Sequence, residues 1–437
     1  MKKRNYVLML FGMLLGVQLQ AQDMTLQDAL QIALQQNFDV RIARSQQAIS
    51  ASQNTAAYAG LLPQVQASAG YTTELLNSEQ QFVTGDERIV ANAGADALDL
   101  GVFVNYTLFD GMSRTALRDQ LQLQADISNL QTRNTIEQTI LALSAAWYTA
   151  IQLNRTADVL HQTITVSNER YRIASYRESI GAGSRLDMMQ ALVDLRSDSA
   201  QLAATEMQMA QQLSVINNLL ARKPETPLNI TDTLVLQSQL AYADIMQAAE
   251  ENTSVISANA RKAYMESLVS SSKSVLMPTL SVQAGYSYFR STSEAGFVSS
   301  NINLGPSAGL TLQVPIFNGG VNKNNVRIAE QQAAIAQETL QKQLMDVYQQ
   351  TYAAWQSYST AQYLTRLALD NEKTAIENTQ IALEKFNSGA ISSIDLRAIQ
   401  QSRIDAGNQV SLYMLETKLA ELELLYLSGQ LIVKESE

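Results

Sequence analysis

"VPIFNGG", Val314 to Gly320, is the stretch on which the fold turns. Before it, apolar and polar residues alternate; after it, no Gly or Pro occurs from Val321 to Ser388. The chain therefore passes here from period two, a strand signature, to the uninterrupted pattern of a long helix. Asn318, Gly319 and Gly320 supply the turn residues for that change. "YTLFDGM", Tyr106 to Met112, does the same earlier, with Phe109 and Gly111 matching Phe317 and Gly319. It lacks a counterpart of Pro315, so the second junction is expected to be the stiffer one.

The two junctions belong to an internal repeat. A shift of 208 residues places Trp147 on Trp355, Phe109 on Phe317, Gly181 on Gly389, Ser184 on Ser392 and Asp187 on Asp395. Upstream the shift is 215, pairing Pro63 with Pro278, Tyr71 with Tyr286 and Asn37 with Asn252. Such self-similarity marks one structural unit present twice. The halves are 22–222 and 230–437, joined by "KPETPLN" at 223–229. Each begins with a helix free of Gly and Pro (Leu26 to Ala59; Leu240 to Val275) that stops near Pro63 or Pro278. A strand pair follows (63–109; 278–317), then a long helical hairpin (112–222; 320–432) that turns at Gly181 or Gly389. A helix as long as its first arm would measure about 100 Å, so it must pack beside others as a coiled coil or helical barrel.

Residues 1–21 read as a secretory signal peptide: Lys2, Lys3 and Arg4, an apolar run to Val17, then Leu19-Gln20-Ala21 as a cleavage site. The net charge is −10, and loss of these three cations makes it −13, which disfavours nucleic acid as a partner. Charged residues are only 16% of the chain and cysteine is absent, so neither disulfides nor lipidation on Cys is expected. No later segment has the apolar length of a membrane-spanning helix, so any crossing must use strands.

The strands fit that use. Val65, Ala67, Ala69 and Tyr71 share a face, as do Val102, Val104, Tyr106 and Leu108. Leu280, Val282, Ala284, Tyr286 and Tyr288 repeat the pattern, as do Leu310, Leu312, Val314 and Ile316. Runs of about ten residues suit a tilted membrane strand. Their connections, Asn77 to Gly101 and Arg290 to Gly305, are expected to be exposed loops. Four strands cannot close a barrel, so several copies must share one: eight strands from a dimer or twelve from a trimer.

This order of opening helix "TLQDALQIALQQN" (Thr25 to Asn37), strand pair, "PIFNGG", long helix, Gly turn and return helix, all duplicated, resembles the TolC-like outer-membrane efflux proteins. The resemblance implies a mainly α homotrimer with a small β part. Its α-barrel of long antiparallel helices would join a shared 12-stranded outer-membrane β-barrel, with a periplasmic extension. It implies an exit duct for a tripartite efflux or type I secretion system. The partners would be a periplasmic adaptor (membrane fusion) protein and an inner-membrane RND, ABC or MFS transporter. No enzyme activity, cofactor or metal is implied.

The tips "GAGSRLDMMQA" and "GAISSIDLRAI" carry a second signal. Ser184-x-x-Asp187 and Ser392-x-x-Asp395 both have capping-box spacing. By resemblance, Gly181, Ala182, Ser184, Gly389, Ala390 and Ser392 are adaptor-docking tips, and Asp395 and Asp187 belong to a periplasmic gate. Phe386 stands where some relatives place a gate tyrosine and lacks its hydroxyl; a second constriction acid is replaced by Ala398. The barrel-to-helix junctions are Pro63, Phe109, Gly111, Pro278, Pro315, Phe317, Gly319 and Gly320. Phe109 and Phe317 are candidates for the membrane–water boundary. His161, the only histidine, falls mid-helix opposite Leu369 in the repeat, and no nucleophile or phosphate-binding motif is present. The competing class, a periplasmic coiled-coil adaptor or structural protein, accounts for the hairpins but not for four alternating strands.

Overall fold

A computed structural model describes residues 22–236 and 240–431; the expected signal peptide lies outside them. The chain divides into two compact units. One comprises Arg44–Thr132 and Thr253–Met345; the other comprises the chain up to Ala43, Arg133–Asn252, and the chain from Asp346 onward. The long helices contribute residues to both units.

The first of these units is built on an antiparallel sheet of order β2-β3-β5-β6 (β2 Gln64–Gln81, β3 Glu87–Phe109, β5 Thr279–Ser293, β6 Ser300–Gln313). The two hairpins of the repeat meet through β3 and β5, and β2 and β6 are the edges. Val65, Val104, Ala284 and Ala308 lie in one register row, and Ala67, Val102, Tyr286 and Pro306 in the next. Cross-strand partners share a face, so the four alternating series merge into one continuous apolar surface.

Two strand expectations need correction. Asn77 to Gly101 and Arg290 to Gly305 are not loops: the ladders run on through them, leaving turns only near 82–86 and 294–299. Small residues such as Ala95 and Gly94 alternate poorly but still pair backbone to backbone. Conversely, β6 ends at Gln313, so Val314 and Ile316 are not in the strand. The last pair is Thr279 with Gln313. Beyond it Pro278 and Pro315 lack N–H groups to extend the ladder.

The second unit is helical. It contains α1 (Leu26–Gln36), α4 (Arg185–Leu219), α8 (Ser393–Leu427) and most of α3 (Ser113–Ser179) and α7 (Val321–Asn387). The last two residues of the expected linker, Leu228 and Asn229, begin β4 (Leu228–Ile230), which pairs in parallel with β1 (Gln22–Met24). The core gathers Leu143, Trp147 and Ala150 of α3 with Ile216 of α4, Leu422 and Leu425 of α8, and Leu30 of α1. Trp147 is fully buried and its indole donates to Asp232 Oδ2 at 3.0 Å; the same oxygen accepts Leu26 N–H at 2.6 Å, holding the start of α1. Trp355, its repeat partner, is only half-buried and is flanked by the tilted rings of Tyr242 and Tyr358.

The opening helix of each repeat is not continuous, another correction. In the first half α1 stops at Asn37, and α2 (Phe38–Gln53) follows. In the second, α5 (Tyr242–Ala248) and a 3-10 turn stop at Asn252, before α6 (Thr253–Ser274). Both asparagines have extended ψ values of 133°. Within the helical unit Asn37 Nδ2 donates to Leu219 O at 2.9 Å, and Asn252 Nδ2 donates to Leu427 O at 3.0 Å and Tyr426 O at 3.3 Å. The Leu219 and Leu427 carbonyls end α4 and α8, beyond reach of an i+4 helical N–H, and Tyr426 O also accepts from Gly429 N–H at 3.1 Å. One broken helix thus caps the next hairpin's return arm, twice.

Candidate functional site

Helical tips and the exposed sheet are the two regions singled out by the sequence, and each belongs to one unit. At the tips Gly181 and Gly389 have φ of 74° and 81°, the left-handed turn that ends α3 and α7. Ser392 and Asp395 form the full capping box: Asp395 N–H bonds Ser392 Oγ, and Asp395 Oδ2 accepts from Ser392 N–H at 3.1 Å and its hydroxyl at 2.7 Å. The hydroxyl, then the N–H, hold the Asp395 carboxyl below the usual aspartate range. At the first tip Ser184 Oγ accepts instead from Leu186 N–H at 3.1 Å, so the expected box with Asp187 is replaced by a simpler cap.

Phe386 does not lie on a surface. It is 2% exposed, packed with Ala382, Leu396 and Ile173. The guanidinium of Arg177 sits 5.0 Å from its ring centroid and donates to Phe386 O at 2.7 Å and Asn387 O at 3.3 Å. A first-hairpin cation therefore caps the C-terminus of α7. Missing the tyrosine hydroxyl, this position serves packing.

The strongest polar contacts at the tip join Arg397 and Ser393, inside the second motif, to residues about one to four helical turns from the first. Arg397 of α8 grips Asp198 of α4 through two parallel bonds of 2.8 and 2.9 Å, and Ser167 Oγ of α3 adds a third at 2.7 Å. Arg170 of α3, fully buried, pairs with Asp194 of α4 and reaches Ser393 O of α8. Bidentate arginine–carboxylate pairs fix geometry as well as charge. These residues clasp the two hairpins. Sequence reading missed them, yet a signal was present: each departs from the repeat. Ser167, Arg170, Asp194, Asp198 and Arg397 stand opposite Ala375, Asn378, Ser402, Ala406 and Met189. Below the clasp, Asp187, Gln190, Asp194, Ile394 and Arg397 help to line a groove of ≈ 480 Å³; Asp395 is not among its lining residues.

At the sheet, the merged apolar surface is open: Val65 is 67% exposed, Leu310 69% and Tyr286 54%. It extends from the Leu280–Leu312 row to the row containing Tyr71, Leu98, Arg290 and Ile302. Ten residue steps at a 40° tilt give a band about 25 Å tall, the height of a membrane barrel's apolar belt. Polar groups lie above it, where Tyr71 OH donates to Asp96 at 2.9 Å. The opposite face is polar, with Gln66, Ser68, Gln283, Ser307 and Asn303. On it the Phe103 ring covers Gly101 and Gly285, where an added Cβ would come within 2.5 and 2.4 Å of ring carbons.

The junctions differ. Gly111 and Met112 both take positive φ, 67° and 70°, as do Gly319 and Gly320 at 70° and 82°. Phe109 is still strand, paired with Leu280 and 44% exposed, whereas Phe317 lies beyond the sheet and is 86% exposed.

The family model described as outer membrane efflux protein matches residues 29–222 and 245–430. "Outer membrane efflux protein BepC" of Brucella suis is 23% identical over 289 residues, 65% of this chain; the match spans 61% of that relative's length. "Outer membrane protein TolC" of Vibrio cholerae is 20% identical over 386 residues, 86% of this chain and 84% of its own. Among solved structures, the CmeC outer membrane channel of Campylobacter jejuni superposes with a TM-score of 0.79 at 16% identity, covering 94% of this chain and 89% of that one.

Proposed function

This chain belongs to the outer membrane efflux protein family, and on that footing we propose that it is the outer-membrane exit duct of a tripartite efflux or type I secretion system. The open sheet carries the reading. One sheet face is exposed and apolar to membrane height, the other is polar, and the outer edges of β2 and β6 have no partner strand among the described residues. Such edges are intolerable in lipid unless other copies close them.

Three copies suit a duct better than two. An eight-stranded barrel is filled by its own side chains, whereas twelve strands leave a lumen. Exposed apolar stripes on α4 (Leu186, Val193, Met207) and α7 (Ile335, Met345, Tyr352) offer matching helical seams between copies. Substrate would pass from an inner-membrane RND, ABC or MFS transporter, through a periplasmic adaptor, into the α-barrel and out across the outer membrane. The adaptor would dock at the tips bearing Gly181, Ser184, Gly389 and Ser392. The clasp of Arg397 and Asp198 would hold the periplasmic end closed, with Asp187 and Asp395 exposed beside it.

Purified protein in a planar bilayer tests the reading. A closed-state duct gives small, discrete conductance steps that are weakly cation-selective, because acidic groups ring the tip. Protein that stays in the periplasmic fraction and forms no channels would overturn it.

A further inference from the structure

The second junction presents a surface that the duct reading leaves unused. Ile316 and Phe317 are 92% and 86% exposed, and they follow directly on the apolar sheet face, beyond its last paired residue Gln313. Immediately after, Lys323 and Arg327 stand four residues apart on one side of α7, exposed, and neither makes an ion pair among the described residues. The helix itself does not call for them. Cations near a helix N-terminus oppose its dipole, and the first turn of α7 holds no acid to balance them.

At the first junction one cation, Arg114, is spent internally. Arg114 bonds Asp110 at 2.9 Å and Gly60 O at 3.1 Å, and lies 5.5 Å from the Tyr106 ring centroid. Lys273 is likewise paired, with Glu330 at 3.2 Å. Across 109–114, 273–279 and 313–330 four cations face two carboxylates, a local excess of positive charge in a chain of net charge −10. An apolar pair continuous with a lipid-facing surface, followed by two free cations, has the order of acyl chain and then headgroup.

We infer that Lys323 and Arg327 bind anionic phospholipid headgroups of the periplasmic leaflet while Ile316 and Phe317 enter its acyl region, so that the second junction of each copy sets the depth of the duct. The inference rests on the proposed membrane barrel. Its consequence is a preference for anionic over zwitterionic lipid that salt weakens.

The test uses full-length protein in neutral detergent titrated with phosphatidylglycerol or phosphatidylcholine, bound lipid being counted by native mass spectrometry. At about fivefold for each charge, Lys323→Gln with Arg327→Gln should weaken phosphatidylglycerol binding about thirtyfold and leave phosphatidylcholine unchanged. Phe317→Ser should weaken both lipids. Lys342→Gln, on the same helix beyond the junction, should change neither. Equal phosphatidylglycerol binding by the double variant and the parent would overturn the inference. Insertion into phosphatidylcholine vesicles is read separately: failure there sinks the barrel reading, whereas insertion without a lipid preference sinks only this one.

Discussion

Replacing Arg397 by Met, the residue at its repeat position, should open the tip and destabilise it far more than replacing its partner. Asp198 has 5% of its side-chain surface exposed and accepts two guanidinium bonds and one hydroxyl bond. Without Arg397 the carboxylate keeps only Ser167, a buried charge with one neutral donor. Breaking a fully buried pair from one side costs about 3–5 kcal/mol. The 22% exposure of Arg397 admits water to part of the vacated space, which lowers the expectation to about 2–4 kcal/mol. Asp198→Ala, by contrast, leaves a guanidinium that can turn toward solvent, at about 1–2 kcal/mol. The double variant Arg397→Met/Asp198→Ala restores the symmetric pair Met189 and Ala406 and removes both charges. It should be more stable than Arg397→Met alone, with a coupling of at least about 1.5 kcal/mol. Chemical unfolding followed at 222 nm closes the cycle, and planar-bilayer recordings follow the gate. All three variants should show raised conductance, because each removes the direct link between Asp198 of α4 and Arg397 of α8. Additive single effects with unchanged conductance would refute both the energetic argument and the clasp.

Met112 occupies a left-handed backbone where the repeat has Gly320, and its side chain is 67% exposed. Met112→Gly should therefore stabilise by about 0.5–1 kcal/mol. Gly111→Ala should destabilise by at least about 2 kcal/mol, since the new Cβ would lie 2.5 Å from Met277 Cβ and 2.7 Å from Ser274 O. Thermal melts check both. Asn37→Ala and Asn252→Ala should each cost about 2 kcal/mol, by stripping the donor from carbonyls ending α4 or α8; faster amide exchange in the last turn of that helix is the readout. Because the Asp395 pKa is lowered, its capping contribution is complete above the ordinary aspartate value near 4 and is lost as pH falls through the lowered one. Channel conductance should accordingly rise in that acid window, and Asp395→Asn should remove the transition.

The repeat made the architecture legible. The lengths of α3 and α7, the Gly turns and the faces of the four long strands up to Gln313 follow from period and spacing, because each depends on local chemistry. What escaped depended on partners distant in sequence. Asn37 and Asn252 were visible as a matched pair. An asparagine inside a helix is only mildly unfavourable, though, so the break becomes evident only once the carbonyls of Leu219 and Leu427 are beside them. Residues 87–101 look like a loop by composition, but a backbone ladder asks little of side chains when its partner strand is adjacent. The clasp was hidden for the opposite reason. A search for similarity between halves passes over Arg397 and Asp198, whose partnership is a departure from it.

On this reading the four strands of each copy close with those of other copies into one lumen-bearing barrel. The mass of the particle extracted intact from outer membranes tests it most directly. Three copies, and hence twelve strands, is the expected result; a particle of one copy, or of two with only eight strands, would contradict it.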